Sequence, residues 1–299
     1  MHTRMLHIAV AAALTLGSTS AMALVINTTL PTPASTLAAA VQAPTSGISI
    51  IGGTQTYQGN ASFPQSGTYS GFVLAPNSGT TPTLTLPDGV LLTSGHSNMP
   101  MTNTVNNFSN TIGAGSGSGP NATLGALSAS AGGTSTTHDA NVISFQFTVS
   151  GGANAVTAQF VFGTDEFPTQ SVTDIFGFFV DGVNYAKFPN GQLISNTPGN
   201  PTNFINNPVG GGLYNIEYNG LTQVFNVTGL LDMSLTTHTI MIGVADTSDS
   251  IYDSGVFIGG LQATTAGGGG GITQVPEPAS LALLGLGLVG FGWSRRRKS

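Results

Sequence analysis

The sequence predicts a mainly β protein: an antiparallel, jelly-roll-like β-sandwich with one short N-terminal helix, flanked by a signal peptide and a C-terminal transmembrane helix. Three observations carry this. Apolar and polar residues alternate over several short runs. Gly, Pro and Asn punctuate those runs, with 42 Gly and 16 Pro in 299 residues. Both chain ends break the pattern and read as addresses instead.

At the N-terminus Arg4 supplies positive charge, Leu6 to Leu16 is an apolar run, and Ala21-Met22-Ala23 is a small-x-small site. Residues 1–23 therefore read as a signal peptide, cut by signal peptidase after Ala23. The apolar run is shorter than the ~20 residues a spanning helix needs. Ser35 to Gln42, with three consecutive alanines, reads as a helix with Ser35 placed to cap it. Short strands are expected at Ile48–Ile51, Phe72–Leu74, Leu84–Leu86 and Val90–Leu92.

Longer strands follow. Ile143, Phe145, Phe147 and Val149 alternate with Ser144, Gln146 and Thr148, and Val156, Ala158, Phe160 and Phe162 repeat the period. Ile175 to Val180 is almost continuously apolar, which suits a strand covered on both faces. Asp181-Gly182 behind it is a hairpin signal. Leu221–Val227, Thr237–Val244 and Gly255–Leu261 complete the set. Ile112–Thr137 and Gln192–Gly212 are rich in Gly, Ser, Asn and Pro and are expected to be loose. One domain is read over 28–264. A linker over 265–275 follows, containing the run Gly267 to Gly271, which a tether of this composition leaves without fixed shape.

The last segment has three parts. Pro276-Glu277-Pro278 comes first, then Ala279 to Trp293 without a charge, then Arg295-Arg296-Arg297-Lys298. An apolar helix closed by basic residues is a stop-transfer pattern with its basic end in the cytoplasm. At about fifteen residues, 279–293 is a short transmembrane helix. Gly285, Gly287 and Gly290 satisfy G-x-G-x-x-G, but no strand precedes them, so a dinucleotide site is excluded. This order of parts resembles the PEP-CTERM sorting signal of Gram-negative bacteria. The resemblance implies exosortase as a partner, transient residence in the inner membrane, and release to the cell surface or the exopolysaccharide matrix.

Charge narrows the function. Only 6% of residues are charged and the net charge is −6. Five of the six basic residues lie at the two ends, leaving Lys187 alone against all twelve acids. Binding a phosphate backbone needs clustered Lys and Arg, so nucleic acid is excluded as a partner. Absence of Cys removes disulfides, thiolate metal sites and cysteine nucleophiles.

Six acids fall in two groups: Asp165, Glu166 and Asp174, and Asp246, Asp249 and Asp253. Both follow apolar strands, which places both on loops that one end of a sandwich can bring together. With no basic residue to neutralise them, Glu166, Asp174, Asp246, Asp249 and Asp253 suit the oxygen ligands of one Ca²⁺. Solvated acids on turns are the plain alternative. A hydrolase is a further alternative, because glycosidases need two carboxylates across a sugar-sized gap. His238 lies within an apolar strand and reads as packed; His138-Asp139 reads as a strand-entry turn. The body holds no Gly-x-Ser-x-Gly elbow.

The body resembles the choice-of-anchor L domain. Leu91-Leu92-Thr93-Ser94-Gly95, Phe160 to Pro168 with Thr164-Asp165-Glu166-Phe167, and Asp174 to Asn184 carry the resemblance. So do Glu217 to Thr222 and, most distinctively, Ala245-Asp246-Thr247-Ser248-Asp249-Ser250-Ile251-Tyr252-Asp253-Ser254-Gly255. Two positions depart: the family's Glu-Glu-Tyr reads Asp165-Glu166-Phe167, and its Asn-Asp reads Thr173-Asp174. The resemblance implies a bacterial surface module. The combined expectation is an exported, non-enzymatic protein of adhesion or matrix organisation, in contact with exopolysaccharide or other surface proteins. The alternative is a polysaccharide-active hydrolase using the acidic loops.

Overall fold

Alternation puts Ile143, Phe145 and Phe147 on one side of a strand, and in the computed structural model that side is the core. The structure describes residues 24–28, 33–60, 62–78, 81–98, 101–105, 118–168, 174–195 and 201–275. The signal peptide with Ala23 lies outside these residues. So does the sorting segment, with Pro276, Glu277, Pro278, the span 279–293, Arg295, Arg296 and Arg297.

The chain runs β1 (Val25–Asn27), α1 (Ala34–Ala40), β2 (Ile48–Ile50), β3 (Thr56–Gln58), β4 (Ser66–Ser70), β5 (Val73–Leu74), β6 (Leu84–Thr85), β7 (Gly89–Thr93) and α2 (Ala122–Ser130). It continues with β8 (Thr137–Val149), β9 (Ala155–Thr164), β10 (Ile175–Val180), β11 (Val183–Asn184), β12 (Phe204–Asn206) and β13 (Gly220–Thr222). The last strands are β14 (Phe225–Leu230), β15 (His238–Thr247), β16 (Ser254–Thr264) and β17 (Gly271–Gln274).

These strands build two main antiparallel sheets. The larger follows the order β1-β4-β7-β16-β9-β13-β12, with β14 and β17 continuing along β9. The smaller follows β11-β10-β15-β8-β2, with β3 also on β8. They face each other across one apolar core, where Phe160 of β9 and Phe176 of β10 meet at 5.0 Å between ring centroids. The far face of the larger sheet is covered by Phe72, Leu74, Leu84, Leu86 and the segment through Tyr214, Ile216 and Tyr218. The far face of the smaller sheet is covered by α2, through Leu124 and Leu127. Every residue of β10 is buried, as its unbroken apolar run requires. Its hairpin turns on Asp181 (φ 48°) and Gly182 (φ 81°), the paired left-handed conformation of a two-residue turn.

Four details differ from expectation. Helix α1 begins at Ala34 and Ser35 does not cap it; the Pro33 carbonyl accepts from Thr36 and Leu37 instead. The stretch 112–137 holds a second helix, α2, because the Asn121 side chain accepts from the N–H groups of Thr123 and Leu124 at 3.1 and 3.0 Å. Leu124 and Leu127 then supply the burial that the rest of the stretch lacks. Within 192–212, β12 pairs with β13 and buries Phe204 in the core. Beyond residue 264, β17 pairs with β14 and buries Ile272, so the glycine run ends in a strand.

Candidate functional site

Two strand pairs end at the same place. In the larger sheet Ser254 lies opposite Thr164, so Asp165 and Glu166 leave β9 where Asp253 enters β16. The Asp165 N–H donates to the Asp253 carbonyl at 3.1 Å. In the smaller sheet Ile175 lies opposite Ala245, so Asp174 enters β10 beside Asp246 near the end of β15. The two ends meet across the sandwich: the Ser254 hydroxyl donates to Asp174 Oδ2 at 2.5 Å. Four of the five residues expected to act together, Glu166, Asp174, Asp246 and Asp253, are thereby gathered from two sheets. Asp249 lies on the rim, partly exposed; its Oδ1 accepts from the Ile251 N–H at 3.1 Å and its charge reaches Glu166.

The gathered acids are shut away from water. Relative exposure is 4% for Asp165, 0% for Glu166, 1% for Asp174 and 0% for both Asp246 and Asp253. No carboxylate oxygen of Asp246 or of Asp253 makes a well-aligned hydrogen bond, although Ser94 stands beside Asp246, and Asp165 Oδ2, Asp174 Oδ1 and Asp139 Oδ2 make none either. Asp246 nevertheless faces Asp174 and Asp253 closely enough for a shared proton to join them. Tyr218 lies fully buried across Gly163 and Gly255. Its hydroxyl, in the field of Asp165, Asp253 and Asp174, makes no well-aligned hydrogen bond, although Thr93 stands beside it.

Electrostatics follow from this crowding. Burial raises Asp165 to about 8, against a smaller pull downward from the Asn219 N–H. Burial, then the charges of Asp249, Asp165 and Asp253, raise Glu166 to about 9. Burial is also the main cause that holds Asp174, Asp246 and Asp253 well above the usual carboxylate range, with neighbouring carboxylates adding to it. Two like charges ~4 Å apart repel by about 4 kcal/mol at an effective dielectric of about 20. A few such pairs would consume the ~5–15 kcal/mol by which a domain is stable. A fully anionic bare cluster is therefore not a state this fold can hold. It needs protons or a cation.

The local backbone is built around the cluster. Opposite Val244 and Asp246, β8 carries one extra residue, and Asp139 in this bulge has φ 46°. Ser248 (φ 79°) and Tyr252 (φ 67°) bracket Asp249 in the loop to β16. Left-handed backbone in non-glycine residues is uncommon and costs ~1–3 kcal/mol where it is strained. Behind the acids a polar net joins the sheets. Asn141 Nδ2 donates to the carbonyls of Gln65 and Thr93 at 2.7 and 3.0 Å, and Gln65 Nε2 donates to those of Ser94 and Asp139 at 2.8 and 3.0 Å.

Sequence reasoning left Asp139 and Asn141 out of the site. The signal was present: they occupy alternate positions at the head of a strand whose next alternate residues, Ile143 and Phe145, are core. Asp165 was grouped with these acids but not assigned as a ligand. Among the described residues no three His, Asp or Glu side chains are set, as they stand, to hold a metal ion. His238 is packed, as expected, with Nδ1 at 2.8 Å from Asp181 Oδ2.

Comparison with family models decides the kinship. The Choice-of-anchor L domain model matches residues 34–262, which takes in the smaller sheet, the larger sheet apart from β1, β17 and the end of β16, and every acid of the cluster. The chain belongs to this family. A PEP-CTERM protein-sorting motif matches residues 274–297 of the same choice-of-anchor L protein. No curated protein and no solved structure matches it. The two matches make it an exported surface protein sorted by exosortase. The sorting match begins within β17, so the choice-of-anchor L fold runs directly into its address. Among the described residues no helix is long and apolar enough to cross a membrane.

Proposed function

We propose that this choice-of-anchor L protein works without catalysis, in adhesion or in organising the exopolysaccharide matrix at the cell surface. One observation carries the reading: the acids it concentrates are sealed between the sheets. A glycosidase pair must reach the glycosidic oxygen and the anomeric carbon from opposite sides, and residues at 0–4% exposure offer a sugar no such approach. Outward positions carry uncharged hydrogen-bonding side chains, such as Thr56, Thr85, Gln146, Thr239 and Thr273, which suit hydroxyl-rich polymers.

The test is a panel of exopolysaccharides incubated with the purified exported protein. Co-sedimentation with polymer and no release of reducing ends is the expected result. Reducing ends that appear with the wild type and vanish in Glu166→Gln would establish the hydrolase instead.

A further inference from the structure

We propose that Glu166, Asp174, Asp246 and Asp253 hold one Ca²⁺ between the sheets, as a clamp joining the ends of β9 and β16 to those of β10 and β15.

Asp246 and Asp253 are each at 0% exposure and neither oxygen of either makes a well-aligned hydrogen bond, although Ser94 stands beside Asp246. Buried polar atoms are almost always paired, and each exception calls for an occupant or a role. The fully buried Tyr218 hydroxyl, with Thr93 beside it and no well-aligned hydrogen bond, lies in the field of Asp165, Asp253 and Asp174. One neutral hydroxyl cannot serve this many carboxylate oxygens; they need a species that accepts electron density from several of them at once.

A cation meets that need and Lys187 does not. Lys187 lies on the stretch that turns back along β10 and bridges Leu193, but its side chain is exposed to water whereas the acids are sealed at 0–4% exposure. The chemistry selects Ca²⁺ among divalent ions. Cys is absent, and the sealed side chains gathered here are carboxylates with the Tyr218 hydroxyl beside them, while His138, across the ladder from Asp246, is only half-buried. A donor set of oxygens disfavours zinc and copper. Carboxylates at four strand ends, with main-chain carbonyls beside them, suit the larger, irregular Ca²⁺ shell better than the strict octahedron of Mg²⁺. An exported module meets Ca²⁺ outside the cell, where sites of modest affinity suffice. The clamp explains why the acids come from both sheets: an ion here holds the sandwich shut at the end where the inter-sheet hydrogen bond from Ser254 to Asp174 already lies.

The experiment uses the exported protein, stripped with chelator and returned to buffer at pH 7.5. Expected results are one tightly held calcium per chain by elemental analysis after desalting from calcium buffer, and a rise in Tm of about 5–10 °C at hundredfold excess over Kd. Chelator should reverse the rise, and equal Mg²⁺ should give less. Asp253→Asn should fold in chelator, since its neutral amide removes repulsion, yet lose both the bound calcium and the Tm response. Asp88→Asn, far from the cluster in the sequence and absent from its contacts, should keep both. A wild type that retains no calcium and melts at the same temperature with calcium or chelator overturns the proposal, leaving protons as the occupants. A response that survives in Asp253→Asn overturns it equally.

Discussion

Asp165 and Asp253 are joined through the main chain, the N–H of one donating to the carbonyl of the other at 3.1 Å. That bond lies just past the last residues of the β9–β16 ladder, so two acids 88 positions apart emerge from one sheet at one point. Their carboxylates share a buried space with those of Glu166, Asp174 and Asp246, and several predictions rest on that confinement.

Stability of the ion-free protein should fall as pH rises from about 4 toward 9. Asp165 and Glu166 are raised by burial to about 8 and about 9, above their unfolded values. Between those limits the folded state binds more protons than the unfolded state, so each step up in pH favours unfolding. Thermal melts in chelator at pH 5 and pH 8 measure this, and a higher Tm at pH 8 would contradict it. Because a metal ligand must be deprotonated, the calcium-induced shift should be larger at pH 8 than at pH 5.

Gly163→Ala should destabilise the fold by ~1–3 kcal/mol. A Cβ there would stand 2.3 Å from Tyr218 Cδ2, inside a layer with no room to yield. A drop in Tm of roughly 2–4 °C per kcal/mol is the readout. Gly211→Ala, whose Cβ would meet nothing within 4 Å, should leave Tm unchanged.

Asn141→Leu should cost at least ~2 kcal/mol. Its amide satisfies the buried carbonyls of Gln65 and Thr93, and its Oδ1 accepts from Ser66 at 3.0 Å. An apolar replacement of similar size removes all three bonds at once, leaving the Gln65 carbonyl with only the Thr93 N–H and the Ser66 hydroxyl with only Tyr57 among these partners. Denaturant titration, with the midpoint falling and the slope unchanged, distinguishes this from a change in the unfolded state.

A chain ending at Thr264 should be less stable than one ending at Val275. The difference is β17: Ile272 is buried in the core and the Val275 N–H donates to the Val224 carbonyl at 3.1 Å. Burial of one such side chain contributes ~1.5–3 kcal/mol. Equal melting temperatures for the two chains would show β17 to be a passive extension.

Surface-released protein should lack Arg295 to Ser299. The sorting motif over 274–297 marks the segment for exosortase, and processing there would remove the apolar stretch together with the arginines that close it. Intact-mass measurement on the released fraction checks this, and an attached Arg295–Ser299 would contradict it.

Local information was enough for the strands that bury an alternating face. Phe145, Phe147, Phe160, Phe162 and the whole of β10 sit where their periodicity placed them, because period-two burial is a property of neighbours along the chain. The Asp181-Gly182 turn was legible for the same reason. Helix α2 was not, since its apolar face is only Leu124 and Leu127 within a Gly- and Ser-rich run, and its stability comes from docking on β10 and β15. Strand β17 escaped too: it opens on Gly271 at the end of a glycine run, which carries no β signal, and pairing with β14 supplies what composition does not.

The site divides along the same line. Residue types and their order along the chain determined that uncompensated acids fall in two groups behind apolar strands, and that the C-terminal part carries a sorting signal. Only the tertiary structure decided that the two groups meet, that Asp249 stays at the rim, and that Asp139 joins through a bulge. Those facts depend on strand register and on how one sheet faces the other. Both are set by contacts between residues tens of positions apart, which no window along the sequence contains.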